Sequence, residues 1–194
     1  MFLSLVVGLG NPGRDYDQTR HNLGWLVLDA LARKNRLRWK HAPQFDAEIV
    51  RWEVGELQPR WLVKPLTFMN ESGRAVSAMA RYYKLEASDI VAVYDDLTID
   101  LGLVKVTVNG SAGGHNGVAS LMEHLGGAFA RYRMGIGPKQ PPQMELSDYV
   151  LGKFTPEQHI LVTQKLDSYV QGLELLLSRG LEPAMNQLNR RDPK

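Results

Sequence analysis

The sequence predicts an α/β fold in which helices pack against a mixed β-sheet. Short apolar runs typical of strands alternate along the chain with segments whose apolar residues recur at helical spacing. Strands are expected at 45–54 and 60–64, and only the turn sequence GELQP separates them, which makes the sheet mixed rather than wholly parallel. The 194 residues suffice for one domain with a large core, whereas two domains would each be small.

The remaining elements follow from local patterns taken in chain order. Residues 3–7 are apolar and indicate a buried strand, and residues 22–35 carry apolar residues at helical spacing. Pro156 lies where a proline is tolerated, in the first turn of a long amphipathic helix. Residues 109–117 and the proline-rich residues 138–150 are predicted to be loops. Further strands are predicted at 90–96, 103–108 and 131–137, and helices at 70–85, 117–125, 156–179 and 181–188.

Composition narrows the class of protein. Hydrophobic residues make up 44% and charged residues 23%, as in ordinary soluble globular proteins. No apolar run approaches the roughly 20 residues that a membrane span requires. The chain has no cysteine, which excludes disulfides, thiolate nucleophiles and zinc–thiolate sites. Since the N-terminus also lacks a signal-peptide pattern, we expect a cytoplasmic protein.

Charge gives a weaker indication of the partner. The net charge of +2 is too mild to identify a nucleic acid. A basic stretch stands out at 33–41, RKNRLRWKH, with Trp39 inside it. This stretch is either a solvated helix end followed by a loop or a surface that faces phosphates, and the sequence leaves both interpretations open.

A glycine motif follows the first strand, because Gly8, Gly10 and Gly13 have G-x-G-x-x-G spacing. A dinucleotide-binding turn needs a helix that starts inside the motif and an acid about 20 residues on, at the end of a second strand. Here helical periodicity begins only near Asn22, and the segment in question, LARKNRLRWK, is basic. We therefore expect no nicotinamide binding, and interpret the glycines as a tight turn beneath a site.

Polar side chains cluster in the sequence where the predicted strands end. Taken singly, each has an ordinary explanation, since an asparagine often caps a helix or turn and a lone histidine usually lies at the surface. In an open α/β sheet, however, sites form at the carboxyl ends of strands. We therefore expect one cleft to collect most of the following residues: Asn11, His21, Asn22, Asn70, Asp95, Asp96, His115, Asn116 and Arg133.

This set of residue types suits hydrolysis by an activated water. A histidine oriented by a carboxylate can deprotonate water, and neutral asparagine amides can bind a peptide group or a developing oxyanion. The chain has no G-x-S-x-G motif and no cysteine, and its five histidines show no H-E-x-x-H spacing. We therefore predict a mechanism without a metal, a cofactor or a covalent intermediate.

Six motifs together resemble those of the bacterial peptidyl-tRNA hydrolase family, in the family's order from residue 3 to about 154. They are VVGLGNPGRDYDQTRHNLG, KPLTFMNESG, AVYDDL, GSAGGHNG, RMGIG and DYVLGKF. The resemblance implies cleavage of the ester between tRNA and a peptide or an N-blocked amino acid. It also implies a monomeric single domain over residues 1–194, with a twisted mixed sheet flanked by helices, similar to phosphorylase/hydrolase-like folds.

The resemblance assigns roles to residues by motif position. His21 matches the general base, and Asp95 matches its carboxylate partner. Three asparagines match those that hold the peptide, the water and the 3′ end of the substrate, namely Asn11, Asn70 and Asn116. Other positions match residues lining the cleft, namely Tyr16, Met69 and His115. Arg133 matches a basic residue that meets the 5′-phosphate of tRNA, and Lys105 is retained beside it.

The chain departs from the family pattern around its phosphate contacts. Thr98 replaces an aspartate, and Thr107 replaces a lysine, so the family's contact with tRNA phosphate is either weaker in this chain or rests on Lys105 and Arg133. Residues 138–154 are expected to form a mobile lid, and its 138–147 part is individual to this chain. Two other functions stay open, a non-enzymatic RNA-binding protein on the same fold and a hydrolase or phosphorylase for small molecules. No membrane partner is expected.

Overall fold

The computed structural model describes residues 2–53 and 59–190, and within these residues it contains one seven-stranded sheet. The strand order across the sheet is β2-β3-β4-β1-β5-β7-β6. The strands are β1 Leu5–Gly8, β2 Lys40–Ala42, β3 Ala47–Trp52, β4 Arg60–Pro65, β5 Ile90–Asp100, β6 Val104–Val108 and β7 Ala130–Gly137.

The sheet is mixed, which confirms the predicted fold class. Its centre, β4-β1-β5-β7, is parallel, whereas β2 and β3 at one edge and β6 at the other pair antiparallel with their neighbours. β3 and β4 form the predicted pair, with Trp52 opposite Arg60. Residues 55–58 of the predicted GELQP turn lie outside the described residues.

The helices lie close to their predicted positions, with one addition. They are α1 Leu23–Lys34, α2 Ser72–Tyr83, α3 Asn116–Leu125, α4 Leu146–Leu151, α5 Pro156–Arg179 and α6 Leu181–Leu188. Helix α2 is shorter than the predicted 70–85, because a separate 3₁₀ turn covers Met69–Glu71 and Lys84 ends the helix in the left-handed region at φ 55°. None of the described helices is long and apolar enough to cross a membrane.

Two further predictions were wrong in detail, and one strand was missed. The strand predicted at 45–54 begins only at Ala47, because residues 43–45 form a 3₁₀ turn and Asp46 adopts φ 52°. β2 was not predicted, since its exposed Lys40 and His41 give no apolar pattern. The loop predicted at 138–150 contains α4, a helix whose six residues are too few to be stable without tertiary packing.

Side chains of β1 alternate between two apolar layers, one on each face of the sheet. Val6 belongs to the layer beneath α1 and α5, whereas Leu5 and Val7 belong to the layer beneath α2 and α3. All four residues of β1 are buried, as expected for a parallel strand covered on both faces. Helices on both faces leave the carboxyl ends of the parallel strands as the open edge of the sheet.

Two tyrosines lie buried where β7 meets α5. The Tyr132 hydroxyl donates a hydrogen bond to the main-chain oxygen of Tyr169 at 2.7 Å. Burial raises the pKa of both phenols above their ordinary value, and raises that of Tyr169 to about 12. Because the raised pKa belongs to the folded state alone, the neutral phenol stabilises the fold below pH 10, and this stabilisation disappears as the pH rises towards 12.

We expect Tyr169→Phe to flatten the loss of stability at alkaline pH. Between about pH 10 and 12 the free energy of unfolding of the wild type should fall by about 2 kcal/mol more than that of the variant. Urea unfolding at several pH values measures this difference. Tyr82→Phe is the control, since 70% of Tyr82 is exposed. Equal slopes for the wild type and Tyr169→Phe would contradict the prediction.

Candidate active site

The site lies at the carboxyl ends of the parallel strands. His21 lies in the 3₁₀ turn Arg20–Asn22 between β1 and α1, and Asp95 lies within β5. The chain can bring them together because Gly24, in the first turn of α1, packs directly on the sheet. A Cβ atom at Gly24 would lie 2.3 Å from the Val93 oxygen. Any larger residue there would push α1, and His21 with it, away from β5.

His21 and Asp95 form a buried pair. His21 Nδ1 lies 3.0 Å from both carboxylate oxygens of Asp95. The exposed fractions of the two residues are 5% and 2%. A carboxylate only accepts hydrogen bonds, so Nδ1 carries the proton of the neutral imidazole. Nε2 is then the nitrogen with a free lone pair, as a general base requires.

His115 is a second histidine on the same carboxylate. Its Nε2 lies 3.2 Å from Asp95 Oδ1, and its Nδ1 accepts a hydrogen bond from the Val118 main chain at the start of α3. Since Nδ1 accepts, Nε2 carries the proton and donates to Asp95. Burial by itself would raise the pKa of Asp95, but the electrostatic attraction of the two imidazoles for the carboxylate and their hydrogen bonds to it outweigh burial and lower that pKa well below its ordinary value.

These three side chains also resemble a metal site. Among the described residues, His21, Asp95 and His115 are the group that offers three ligand atoms within 4.8 Å of one another. Imidazole nitrogen and carboxylate oxygen together suit a transition metal. The nitrogens nearest Asp95 are already hydrogen-bonded to it, so an ion would have to replace these bonds. That the reaction proceeds without a metal stays a prediction.

Asn11 and Asn22 interlock next to His21. The Asn22 amide accepts from the Asn11 main-chain nitrogen at 2.8 Å and donates to the Asn11 carbonyl at 2.9 Å. The Asn11 side-chain oxygen accepts from the Met69 main-chain nitrogen at 2.7 Å. This bond fixes the orientation of the Asn11 amide, so its side-chain NH₂ is the donor that it can offer to a ligand. Asn22 therefore has a supporting role.

The predicted residues line one continuous cleft with two compartments that share His21, Asn116, Ser147 and Val150. The first compartment holds Asp95, Asp96 and His115 with the glycine-rich loop at 112–114. The second compartment is lined by Asn11, Tyr16, Phe68, Met69, Asn70 and Leu151. The structure thus brings together all the residues predicted for catalysis and for binding the peptide, although it does not test their roles.

Sequence reasoning missed one wall of the cleft and one aromatic residue. Leu146, Ser147 and Val150 belong to α4, and they were overlooked because their segment was predicted to be a loop. Phe68 is 55% exposed and makes an edge contact with Tyr16, with ring centroids 6.4 Å apart. The signal that could have identified it was its place in the same motif, directly before Met69 and Asn70.

The predicted phosphate contacts lie next to the first compartment. Lys105 and Arg133 are directly opposite each other in the β6–β7 pair, so their side chains share a face of the sheet. Arg133 donates to Asp96 at 2.8 Å and to the Thr98 hydroxyl at 3.3 Å. Thr98 in turn donates to Asp96 at 2.6 Å. Because a threonine stands at position 98 in place of the family's aspartate, Arg133 bonds to one carboxylate, that of Asp96, and to the Thr98 hydroxyl.

The basic stretch at 33–41 lies away from the cleft. Helix α1 starts next to His21 and runs for 12 residues, so its end is about 18 Å from the site along the helix axis. Lys34 at this end pairs with Glu174 at 2.6 Å. The stretch ends in the edge strand β2, which contains Lys40 and His41. The structure does not bring this stretch together with Lys105 and Arg133.

Comparison with known proteins decides the family. The model of the peptidyl-tRNA hydrolase family matches residues 5–194. The chain belongs to the peptidyl-tRNA hydrolase family. A family member from Gloeobacter violaceus is 44% identical over 192 residues, covering 98% of this chain and 96% of the relative. One from Symbiobacterium thermophilum is 43% identical over 194 residues, covering 95% and 98%.

Solved structures of this family share the fold. The crystal structure of peptidyl-tRNA hydrolase from Acinetobacter baumannii superposes with a TM-score of 0.89 at 34% identity, covering 99% of this chain and 97% of that one. A complex of peptidyl-tRNA hydrolase with N-propanol gives 0.90 at the same identity. The predicted resemblance and the predicted fold class are both confirmed.

Proposed function

We propose that this chain hydrolyses the ester that joins a peptide or an N-blocked amino acid to tRNA, with His21 activating the attacking water. The observation that carries the proposal is the buried contact of His21 Nδ1 with both oxygens of Asp95, in a cleft that asparagines line. Membership of the peptidyl-tRNA hydrolase family supports the substrate. An ester is more reactive than an amide, so a base and an orienting acid suffice.

The reaction follows from the tautomer that Asp95 imposes. His21 Nε2 takes a proton from water, and the resulting hydroxide attacks the ester carbonyl carbon. Asp95 stabilises the imidazolium that forms, and a base step of this kind contributes roughly 10²–10⁴ in rate. The tetrahedral intermediate then expels the ribose oxygen of tRNA, which takes back the proton from His21 Nε2. The products are a free peptide acid and tRNA.

The asparagines would bind the acyl part and reject a free amine. Asn11, Asn70 and Asn116 line the second compartment together with His21 and supply uncharged donors and acceptors. They suit the N–H and C=O of a peptide group, and a donor among them can stabilise the oxyanion. A charged α-amine would leave these dipoles unpaired, at a cost of roughly 1–3 kcal/mol for each group.

The rest of the tRNA would be held through phosphates. Arg133 bonds to Asp96 of the first compartment and Lys105 lies opposite Arg133 in the sheet, which suits a phosphate near the acceptor end. Such contacts carry no base specificity, so the enzyme could accept many tRNAs, and binding should weaken as salt rises. We further propose that the protein acts as a cytoplasmic monomer. Of the lid expected at 138–154, we propose that residues 138–145 move, because Tyr149 and Gly152 bond to Arg20 and to β7.

A deacylation assay on two substrates tests the proposed function. We expect rapid release from N-acetyl-aminoacyl-tRNA and little release from the same aminoacyl-tRNA with a free amine. Binding of the blocked substrate without release would instead favour a non-enzymatic RNA-binding protein. If uncharged tRNA fails to inhibit cleavage of the blocked substrate, a small-molecule hydrolase is favoured.

The predicted mechanism without a metal has its own test. The rate of cleavage should be unchanged after the protein is treated with a chelator and then desalted. A loss that a divalent metal restores would make His21, Asp95 and His115 a metal site.

A further inference from the structure

Arg20 is a buried arginine in the same 3₁₀ turn as His21. Its exposed fraction is 6%, and in the described part of the chain its guanidinium hydrogen-bonds to neutral groups. One nitrogen donates to the Tyr149 main-chain oxygen at 3.0 Å, and another to Gln158 Oε1 at 2.7 Å. The guanidinium carbon lies 4.2 Å from the centroid of the Tyr149 ring. Burying a cation is costly, so all these contacts are needed to hold it there.

The contacts of Arg20 join the turn to helix α4 and the residues behind it. The Arg20 main-chain nitrogen donates to the Gly152 oxygen at 3.0 Å, and Thr19 forms an antiparallel bridge with Lys153. The Tyr149 hydroxyl donates to the Ile136 oxygen of β7 at 2.6 Å. Helix α4 is therefore attached on one side to the turn of His21 and on the other to the sheet.

Helix α4 supplies one wall of the cleft that the asparagines also line. Leu146 and Val150 line the first compartment, and Val150 and Leu151 line the second. A helix of six residues has little stability of its own, so its position depends on what anchors it. Arg20 supplies much of that anchor, although it is not among the residues that line either compartment.

Three consecutive residues of the turn thus hold three different parts of the site. Arg20 holds α4, His21 holds Asp95, and Asn22 holds Asn11. This one turn therefore sets the distance between the base and two walls of the cleft. Because one wall is apolar and the other amide-rich, this distance determines how an acyl group fits beside His21.

We propose that Arg20 is a positioning residue that fixes the α4 wall relative to His21 and so sets the affinity for the acyl part of the substrate. This inference rests on the proposed function. The apolar wall suits the side chain of the peptide residue that is esterified to tRNA. Without Arg20 this wall loosens, while His21, Asp95 and the asparagine pair keep their own contacts.

Steady-state kinetics of Arg20→Gln separates this role from a structural one. We expect KM for N-acetyl-phenylalanyl-tRNA to rise about tenfold, with kcat and its pH profile nearly unchanged, because uniform binding is lost rather than transition-state stabilisation. The effect should be smaller for N-acetyl-glycyl-tRNA, which has no side chain to place. Arg20→Lys keeps the charge but can reach fewer acceptors, so it should restore part of the affinity. It also serves as the test if Arg20→Gln does not fold.

Arg60→Gln is the matched control. Arg60 is also a buried arginine, 4% exposed, and its guanidinium donates to two main-chain oxygens, those of Leu3 and Leu177. Neither acceptor lines the cleft. Its loss should lower Tm without changing KM. If Arg20→Gln behaves the same way, with a lower Tm and an unchanged KM, Arg20 is structural only and the inference is overturned.

Hydrogen exchange tests the anchor independently of activity. In the wild type, main-chain amides at 149–153 should exchange more slowly than those at 139–145 outside the anchor. Arg20→Gln should remove this protection and Arg60→Gln should not. Unchanged protection in Arg20→Gln would overturn the inference. A wild type that fails to cleave any substrate would overturn the proposed function instead, and the exchange result would still decide whether Arg20 anchors α4.

Discussion

Replacing His21 by alanine is expected to remove nearly all cleavage of N-acetyl-aminoacyl-tRNA. The substitution deletes the nitrogen that accepts the proton of water, and a base step contributes roughly 10²–10⁴ in rate. Asp95 keeps a hydrogen bond from His115, so the buried carboxylate is not left without a partner and the fold should survive. Single-turnover release of the N-acetyl amino acid measures the loss directly.

His41→Ala is the control for this variant. His41 is exposed and lies in β2, at the edge of the sheet away from the cleft, so its loss should leave the rate unchanged. Circular dichroism and Tm for both variants establish that they are folded. Near-normal turnover by folded His21→Ala would show that another group activates the water.

Asp95→Asn is expected to be more damaging than Asp95→Ala. His115 Nε2 donates to Oδ1, which keeps the new amide oxygen at that position and puts the amide nitrogen at the Oδ2 position, 3.0 Å from His21 Nδ1. An amide N–H donates to Nδ1, which moves the imidazole proton to Nε2 and leaves no lone pair for water. A change of this type costs about 10⁴ in kcat in a Ser-His-Asp site, and we expect a loss on the order of 10³ here.

Asp95→Ala should slow cleavage less than His21→Ala, because the carboxylate orients the base and does not itself take the proton of water. Proton NMR of the imidazole nitrogens in Asp95→Asn checks the tautomer that causes the larger loss. Equal rates for the two Asp95 variants, with Nδ1 still protonated in Asp95→Asn, would contradict this account of the acid.

Acid stability gives a second test of Asp95. Its carboxyl pKa is lowered in the folded state, so the ionised group stabilises the fold above the ordinary pKa near 4, and this stabilisation disappears as the pH falls through the lower folded value. Asp95→Asn lacks this titration. Its free energy of unfolding should therefore depend less on pH below about 4 than that of the wild type.

Elements whose signals are local could be predicted from sequence. Helix α5 begins at Pro156 and ends at Arg179, as predicted, because proline suits a first helical position and Thr155 and Gln158 cap it reciprocally. Strand β1 was predicted because a strand covered on both faces is apolar throughout. Helix α4 was not, because its anchors are Arg20 and Ile136, which are distant in sequence.

The same division holds for the site. The order of strands and helices, and the polar residues at the strand ends, were determined by the sequence itself, since apolar periodicity and turn chemistry act over a few residues. Only the tertiary structure decided that His21 and His115 share Asp95, that Asn22 supports Asn11, and that α4 closes the cleft. These contacts join residues that lie far apart in the chain, or depend on side-chain direction, and neither is encoded in a local pattern.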